Sequence, residues 1–444
     1  MRASIRRSWS SCAAAILLAG MPLAAQSPAD SVARRQQRAL DSLARVVAAL
    51  EARTDSLARL GAQPVAPSAP AVRTTGAYMN VSFVGLTDFG WSTTPDVAAL
   101  QVGDHDPHVR GFSIPNAELA LDGAVDPYFK GFANIVYKLD AMGSTGVELE
   151  EMYFLSTSLP ANLQVKGGQF FMEFGRQNAQ HPHSWAFADQ PLVLNRMFGP
   201  DGLRSQGVRL SWLAPTKWYT EAMVTVANSA GGTTSSFRSD ESPTIHGGAA
   251  LDRAVMRPGD LLIMPRIATS FELTGTQTLV VGASGAFGPN NSGPDARTRI
   301  LGTDVYWKWK SARAAQGFPF ASLQGEAILR KYGAAQRLAE DNQSITLPRE
   351  TLRDRGMYAQ LLWGIRPMLV AGLRGEFASG DPAAFAAPLR ANRSRVSSAL
   401  TLYPTEFSKF RLQYNYDHRT GIGIDHSVWF QFEFLLGAHA AHKF

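Results

Sequence analysis

The chain has 444 residues, of which 45% are hydrophobic and only one is cysteine, and its formal net charge is +6. This length fits two or three ordinary domains or one large barrel. The basic charge lies partly in the first residues and no polybasic run follows them, which argues against a nucleic-acid partner.

The first 25 residues predict a secretory signal peptide. Arg2, Arg6 and Arg7 precede the short apolar run 13–19, and Leu23-Ala24-Ala25 offers a cleavage site. Cleavage there would leave a net charge of +3 and no cysteine, so we expect neither a disulfide nor a thiolate metal site. No later apolar stretch reaches about 18 residues, the length at which we would expect a transmembrane helix.

Residues 28–60 predict one amphipathic helix. The motif DSVAR at Asp30 returns as DSLAR at Asp41 and Asp55, and these offsets of 11 and 14 residues fall on nearly the same helix face. An apolar a/d stripe predicts a periplasmic coiled coil that joins three protomers; the alternative is a solitary helix lying on a neighbouring surface. A Pro/Ala-rich linker, 61–76, follows.

From residue 77 to residue 444 the pattern changes to a period of two, which is typical of the strands of a membrane barrel. Tight turns alternate with longer loops, as they do at the two rims of such a barrel. Sixteen segments follow this pattern: 77–87, 112–123, 127–139, 147–158, 161–171, 203–213, 217–228, 264–273, 277–287, 299–310, 318–331, 354–366, 368–378, 392–402, 407–418 and 427–444.

The alternation also predicts which way side chains face. In 407–418, Leu412 and Tyr414 alternate with Arg411 and Gln413, so the first pair would face lipid and the second water. A soluble sandwich could give the same alternation with its apolar side chains packed inward. Aromatic residues near strand ends and the terminal aromatic Phe444 favour the barrel. We therefore predict an all-β, 16-stranded antiparallel transmembrane barrel with an N-terminal coiled-coil helix.

The barrel region resembles the phosphate-selective porin family, which comprises trimeric outer-membrane channels. The likeness is closest at FSIPNAELALDGAVDPYFKGFANIVYKL (112–139) and NLQVKGGQFFMEFGRQN (162–178). The stretch from GGQFFMEFGRQN to GPDGLRSQGVRLSWLAP also resembles barrels labelled zinc-regulated outer-membrane receptors. That label implies TonB dependence, which needs a plug domain and about 22 strands. The helix-and-linker pattern before the first strand leaves no place for a plug, so we expect passive diffusion.

Basic residues outnumber acidic residues on the predicted lumen face, and rings of charge select ions in pores. The pattern indicates either a mild preference for anions or a hydrated wall of paired charges. Two pairs of basic residues share a face of their strand, because the members of each pair lie two positions apart. They are Arg393 with Arg395 on 392–402 and Lys308 with Lys310 on 299–310. The predicted pore-lining residues are Lys130, Lys138, Lys166, Arg209, Lys308, Lys310, Arg330, Arg374, Arg393, Arg395 and Arg411.

The stretch 172–204 is the richest functional candidate, because it combines charges, histidines and aromatics in one connection. It is the third outer loop, and the resemblance to porins implies that this loop bends inward and narrows the channel. A lid folded over the mouth is the alternative. The predicted constriction residues are Glu173, Arg176, Asp189, Arg196 and Arg204.

Four histidines form a candidate metal site. His181 and His183 flank Pro182, and His105 and His108 lie in the first outer loop. Imidazole with carboxylate suits zinc, copper or nickel, but further ligands must come from elsewhere in the chain. The alternative is that these histidines only form hydrogen bonds. We expect no resident cofactor; if the histidines do bind a metal, zinc is the candidate.

Neither a G-x-S-x-G elbow nor an H-E-x-x-H helix occurs, and we expect no enzymatic activity. The predicted function is an outer-membrane porin-like channel for small hydrophilic solutes or ions, surrounded by lipid and assembled as a homotrimer. A metal (zinc)-related outer-membrane uptake protein and a structural barrel that anchors the envelope are the alternatives.

Overall fold

The computed structural model describes residues 72–74, 77–124, 126–139, 143–239, 243–251 and 254–437. The predicted signal peptide (1–25), the predicted coiled-coil helix (28–60) and most of the predicted linker (61–76) lie outside these residues. Within the predicted linker, Val72–Thr74 forms a short strand that pairs with the start of the first barrel strand.

Sixteen antiparallel strands form one closed barrel, as the sequence predicts. Each strand pairs with the next one along the chain, and the last strand pairs with the first through Ser427–Ser92 to Gly437–Ser82. The strands are β1 Ala77–Ser92, β2 Gly111–Ala124, β3 Phe129–Leu139, β4 Thr145–Ser156, β5 Leu163–Phe171, β6 Arg204–Leu213, β7 Tyr219–Asn228, β8 Leu261–Thr274, β9 Gln277–Pro289, β10 Arg297–Ala315, β11 Phe318–Ala334, β12 Glu350–Arg366, β13 Leu369–Gly380, β14 Arg393–Thr405, β15 Ser408–Arg419 and β16 Gly423–Gly437.

The period-two pattern separates the two faces of the wall. On β15, Leu412 and Tyr414 are 50% and 41% exposed on the outside, whereas Arg411 and Gln413 on the inside are 1% and 0% exposed. The inward-facing side chains are therefore polar but shielded from solvent, so other parts of the chain must fill the lumen.

The connections differ in length at the two rims. One rim carries tight turns, such as the two-residue turn between β10 and β11, where Gln316 and Gly317 both have positive φ (52° and 84°), as a type I′ hairpin requires. The other rim carries the long loops L1 (93–110), L3 (172–203) and L4 (229–260). This alternation agrees with the sequence prediction.

L3 folds into the lumen, and the main hydrophobic core lies there. It contains the short helix α1, Leu192–Phe198, whose seven residues are all buried and which the sequence analysis did not predict. Phe174 and Phe198 of L3 make an edge-to-face ring contact at 5.0 Å, and together with α1 they pack against Ile300, Ile328 and Tyr358 of the wall. Over the described ranges, no helix is long and apolar enough to cross a membrane.

Candidate functional site: the inward loop and its wall contacts

Wall side chains hold the backbone of L3. Glu326 accepts hydrogen bonds from the backbone N–H groups of Arg176 (2.9 Å) and Gln177 (2.8 Å). Glu376 accepts from Leu192 N–H at 2.6 Å, at the start of α1. These lumen carboxylates satisfy donors that a buried loop would otherwise leave unpaired.

Asp189 of L3 pairs with two arginines of the wall. It binds the guanidinium groups of Arg374 and Arg395, the latter at 3.0 Å, and both arginines also contact Glu376 at 2.9 and 2.8 Å. Burial would raise the pKa of Asp189, but Arg395 and Arg374 outweigh it and lower that pKa to about 2. The carboxylate is therefore ionised and tied to the wall.

Other basic residues of the wall donate to L3 carbonyl groups. Arg411 donates to the carbonyl oxygen of Trp185 at 2.5 Å, Lys409 to that of His183 at 2.7 Å, and Arg330 to that of Arg196 at 2.9 Å. These bonds hold the loop from several strands at once.

Most residues that the sequence analysis assigned to the pore lining are paired. Arg330 binds Asp354, and Arg393 binds Asp417. Lys138 binds Asp104, Glu148 and Asp201, and Lys166 and Arg209 both bind Glu173. Lys130 lies exposed close to the tight-turn rim, while Lys308 and Lys310 are half-buried on β10. The described wall is closer to the paired-charge alternative than to a continuous basic row.

The five predicted constriction residues fall into two groups. Asp189, Arg196 and Arg204 are buried, whereas Glu173 and Arg176 are half-buried. The guanidinium of Arg176 lies 4.3 Å above the centre of the Tyr306 ring, and within the described ranges no carboxylate forms an ion pair with it. Glu173 accepts from Arg209 at 2.5 Å and lies 3.3 Å from Lys166.

Arg196 lies beside other arginines at the long-loop rim. Burial lowers its pKa to about 9; Asp354 opposes this, while Arg330, Arg419 and Arg393 add to it. Its Nη2 donates to the carbonyl oxygen of Ala391 at 2.6 Å. The residue is buried between loops and lines a cavity of about 290 Å³ together with Gln101 and Leu389.

A second group of contacts, the acid–histidine cluster, comprises His105, His181, His183, Glu118, Glu150 and Glu151. His181 Nδ1 is 3.0 Å from Glu150 Oε2, and His181 Nε2 is 2.8 Å from Glu151 Oε2. His183 Nδ1 is 3.2 Å from Glu118 Oε2. His105 Nε2 is 3.5 Å from Glu150 Oε1, so three of the four predicted histidines meet at one place.

The fourth predicted histidine lies outside this cluster. His108 is half-buried and its Nδ1 contacts the carbonyl oxygen of Asp106 at 3.0 Å.

Sequence reasoning missed Glu150 and Glu151, because strict alternation places neighbouring residues on opposite faces. A register shift opposite Asn134 and Ile135 inserts one extra residue in β4, and both glutamates point inward at 1% and 5% exposure. Bulges of this kind re-aim side chains next to functional sites. Two adjacent acids inside an otherwise alternating strand are the signal that could have revealed them.

The carboxylates control the protonation of the loop histidines. Burial lowers the pKa of His105, but its contacts with Glu150 outweigh burial and raise that pKa to about 9. Burial likewise opposes the charge on His181, and Glu150, Glu151 and Glu118 raise its pKa well above the usual value.

The fold is that of the porin-like barrels. The structure is similar to that of the outer membrane channel DcaP of Acinetobacter baumannii, with a TM-score of 0.54 and 14% sequence identity. The match covers 81% of this chain and 98% of DcaP. OmpT of Vibrio cholerae, in its trimer form, gives a TM-score of 0.49 at 7% identity over 82% of this chain and all of that one.

The sequence comparisons place the chain in a family. No family model matches it. An uncharacterized protein of Aquifex aeolicus (strain VF5) is 31% identical over 428 residues, which cover 89% of this chain and 85% of that protein. The chain belongs to the same family as this Aquifex protein. Membership of the phosphate-selective porins stays a prediction.

Proposed function

We propose that the protein is an outer-membrane channel for the passive diffusion of small hydrophilic solutes or ions, with L3 as its constriction. The observation that supports this best is the docking of L3 inside a closed barrel, where Asp189 binds Arg374 and Arg395 of the wall. Such a loop narrows a lumen that sixteen strands would otherwise leave wide. The apolar outer face, with side chains such as Leu412 half exposed, suits a lipid surrounding.

Within L3, we propose that the solute path passes Glu173 and Arg176. These are the two predicted constriction residues that keep partial exposure, whereas Asp189, Arg196 and Arg204 are buried. Two cations, Lys166 and Arg209, bind the Glu173 carboxylate, and a third, Arg176, lies over the Tyr306 ring without an ion pair among the described residues. This local excess favours a mild preference for anions.

We also propose a homotrimer with residues 28–60 as a periplasmic coiled coil and residues 1–25 as a removed signal peptide. The repeated DSVAR and DSLAR motifs and the apolar stripe between them support this. Light scattering of the mature protein in detergent, after correction for bound detergent, should give three chains per particle, and a single chain would contradict the assembly.

Conductance separates a channel from a barrel that only anchors the envelope. The purified protein in a planar bilayer should produce stepwise ionic current. If no open-state current occurs at any voltage tested while the protein is folded, the channel proposal is wrong and the structural alternative stands.

Replacing Arg176 with alanine should shift ion preference toward cations. The change removes one charge beside the proposed path, and one charge at contact distance in water is worth about 1 kcal/mol, a factor of roughly five in relative permeability. The measurement is the reversal potential in a potassium chloride gradient. Arg355→Ala is the control, because that side chain is 62% exposed and lies in an outward-facing pair. Equal reversal potentials for wild type and Arg176→Ala would place the path elsewhere.

A further inference from the structure

The acid–histidine cluster has the spacing of a transition-metal site. The ligand atoms of Glu118, Glu150 and His181 all lie within 4.8 Å of one another. His181 Nδ1 is 3.0 Å from Glu150 Oε2 and 3.7 Å from Glu118 Oε2. Tetrahedral zinc with bonds of about 2.0–2.1 Å separates its ligand atoms by about 3.3 Å, so these atoms need little movement to bind one ion.

The histidines are oriented as metal ligands usually are. His181 directs Nδ1 at Glu118 and Glu150 while Nε2 contacts Glu151 at 2.8 Å, and Glu151 in turn accepts the Phe171 N–H at 2.9 Å. A carboxylate on the far ring nitrogen is the arrangement that fixes the tautomer of a ligating histidine and raises its basicity.

His105 repeats this arrangement from the other side. Its Nδ1 is 3.3 Å from the carbonyl oxygen of Pro115, which leaves Nε2 for Glu150. Two histidines from different loops thus present one ring nitrogen each to the same carboxylate, with the other nitrogen held.

Six carboxylates converge in this region. Lys138 and Arg204 face them with permanent charges, and His105 and His181, whose pKa values these carboxylates raise, face them as well. Asn134 is fully buried among the three ligand atoms: its Nδ2 lies 2.8 Å from Glu150 Oε2, 3.2 Å from His181 Nδ1 and 3.4 Å from Glu118 Oε2, and its Oδ1 lacks a hydrogen-bond partner. Rotating the amide by half a turn would direct that free oxygen, instead of the NH2 group, at a cation bound between them.

A neighbouring trio, Asp104, His105 and Asp201, also lies within ligand distance. Lys138 already binds both of its aspartates. A fixed ammonium group there competes with a metal ion. No lysine within the described part of the chain forms an ion pair with Glu118, Glu150 or Glu151, and the guanidinium of Arg204 is 3.8 Å from Glu150 Oε1.

We propose that the acid–histidine cluster binds one divalent transition-metal ion of the zinc class. The ligands are Glu118 of β2, Glu150 of β4 and His181 of L3. His183, whose Nδ1 is 3.2 Å from Glu118 but which lies outside that group, would become the fourth ligand through a movement of its side chain. The ion would join L3 to β2 and β4, whereas Asp189 joins it to β13 and β14. This inference goes beyond the channel function and does not depend on it.

Calorimetry with zinc chloride on the full-length, chelator-treated protein in detergent tests the site. Wild type should bind one zinc ion per chain, and His181→Gln and Glu150→Gln should each weaken binding at least tenfold. His108→Gln is the matched control, because it removes a histidine of L1 outside the cluster, and its affinity should equal that of wild type.

Cobalt(II) absorption gives a second measurement that does not depend on heat. Wild type should show the intense visible bands of a four-coordinate ion, and His181→Gln should lose them. Heat-modifiable migration on gels verifies that each variant is folded, and His183→Gln replaces any variant that is not. Absence of saturable binding by wild type, or equal binding by the folded cluster variants, would overturn the site. A protein that binds zinc but passes no current would contradict only the channel.

Discussion

The Asp189→Asn variant should release L3 from the wall of the barrel and raise the single-channel conductance. The substitution keeps the shape of the side chain but removes the charge between Arg374 and Arg395, which then share Glu376 alone. Removing one partner of a buried ion pair costs about 3–5 kcal/mol, because the remaining charge stays buried. We expect a larger and noisier current in planar bilayers. Limited proteolysis at increasing urea concentration should show that L3 undocks at a lower urea midpoint.

Asp381→Asn is the matched control for this experiment. Asp381 pairs with Arg355 at 3.4 Å, and their side chains are 40% and 62% exposed. An exposed pair contributes about 0–1 kcal/mol, so conductance and protease resistance should stay at the wild-type values. If Asp189→Asn gives the same result as Asp381→Asn, the buried ion pair does not hold the loop.

Leu361→Arg should strongly impair insertion and stability in a bilayer. Leu361 is 45% exposed on the outer face of β12, between Met357 and Ile365, which are 42% and 43% exposed on the same face. An arginine at the middle of the lipid-facing band of a membrane barrel costs about 2–4 kcal/mol. Urea unfolding from lipid vesicles, followed by tryptophan fluorescence, should show this loss as a lower midpoint.

Thr351→Arg supplies the control on the same strand. Thr351 is exposed near the long-loop end of β12, where charged residues already face outward. A charge near the interface costs only about 0–1 kcal/mol. Equal losses for the two variants would mean that the outer face of the barrel is not in contact with lipid at Leu361.

The strands and their facing could be predicted because they follow from a local pattern. Leu412 and Arg411 are neighbours in an alternating pattern that spans only a few residues. In a closed barrel, alternating side chains face the outside and the inside of the wall. The same pattern failed at Glu150 and Glu151, because a bulge depends on the partner strand and leaves the alternation ambiguous.

The roles of the lumen arginines could not be predicted in the same way. Alternation placed Arg374 and Arg395 on the inner face, but their partner Asp189 comes from a loop far away in the sequence. Helix α1 was missed for a related reason. Its residues Leu192–Phe198 are buried on every side, so they show no amphipathic period.

The position of L3 in the chain has a consequence for the order of folding. Its contacts with Ser284, Arg374 and Arg411 span 109, 185 and 226 residues, so most of its wall is synthesised after the loop itself. Contacts of such long range form slowly, because the chain loses conformational entropy before the contacts are made. We therefore expect L3 docking and the pairing of β16 with β1 to be late, mutually dependent steps of assembly, with the loop acting as a template around which the second half of the barrel closes.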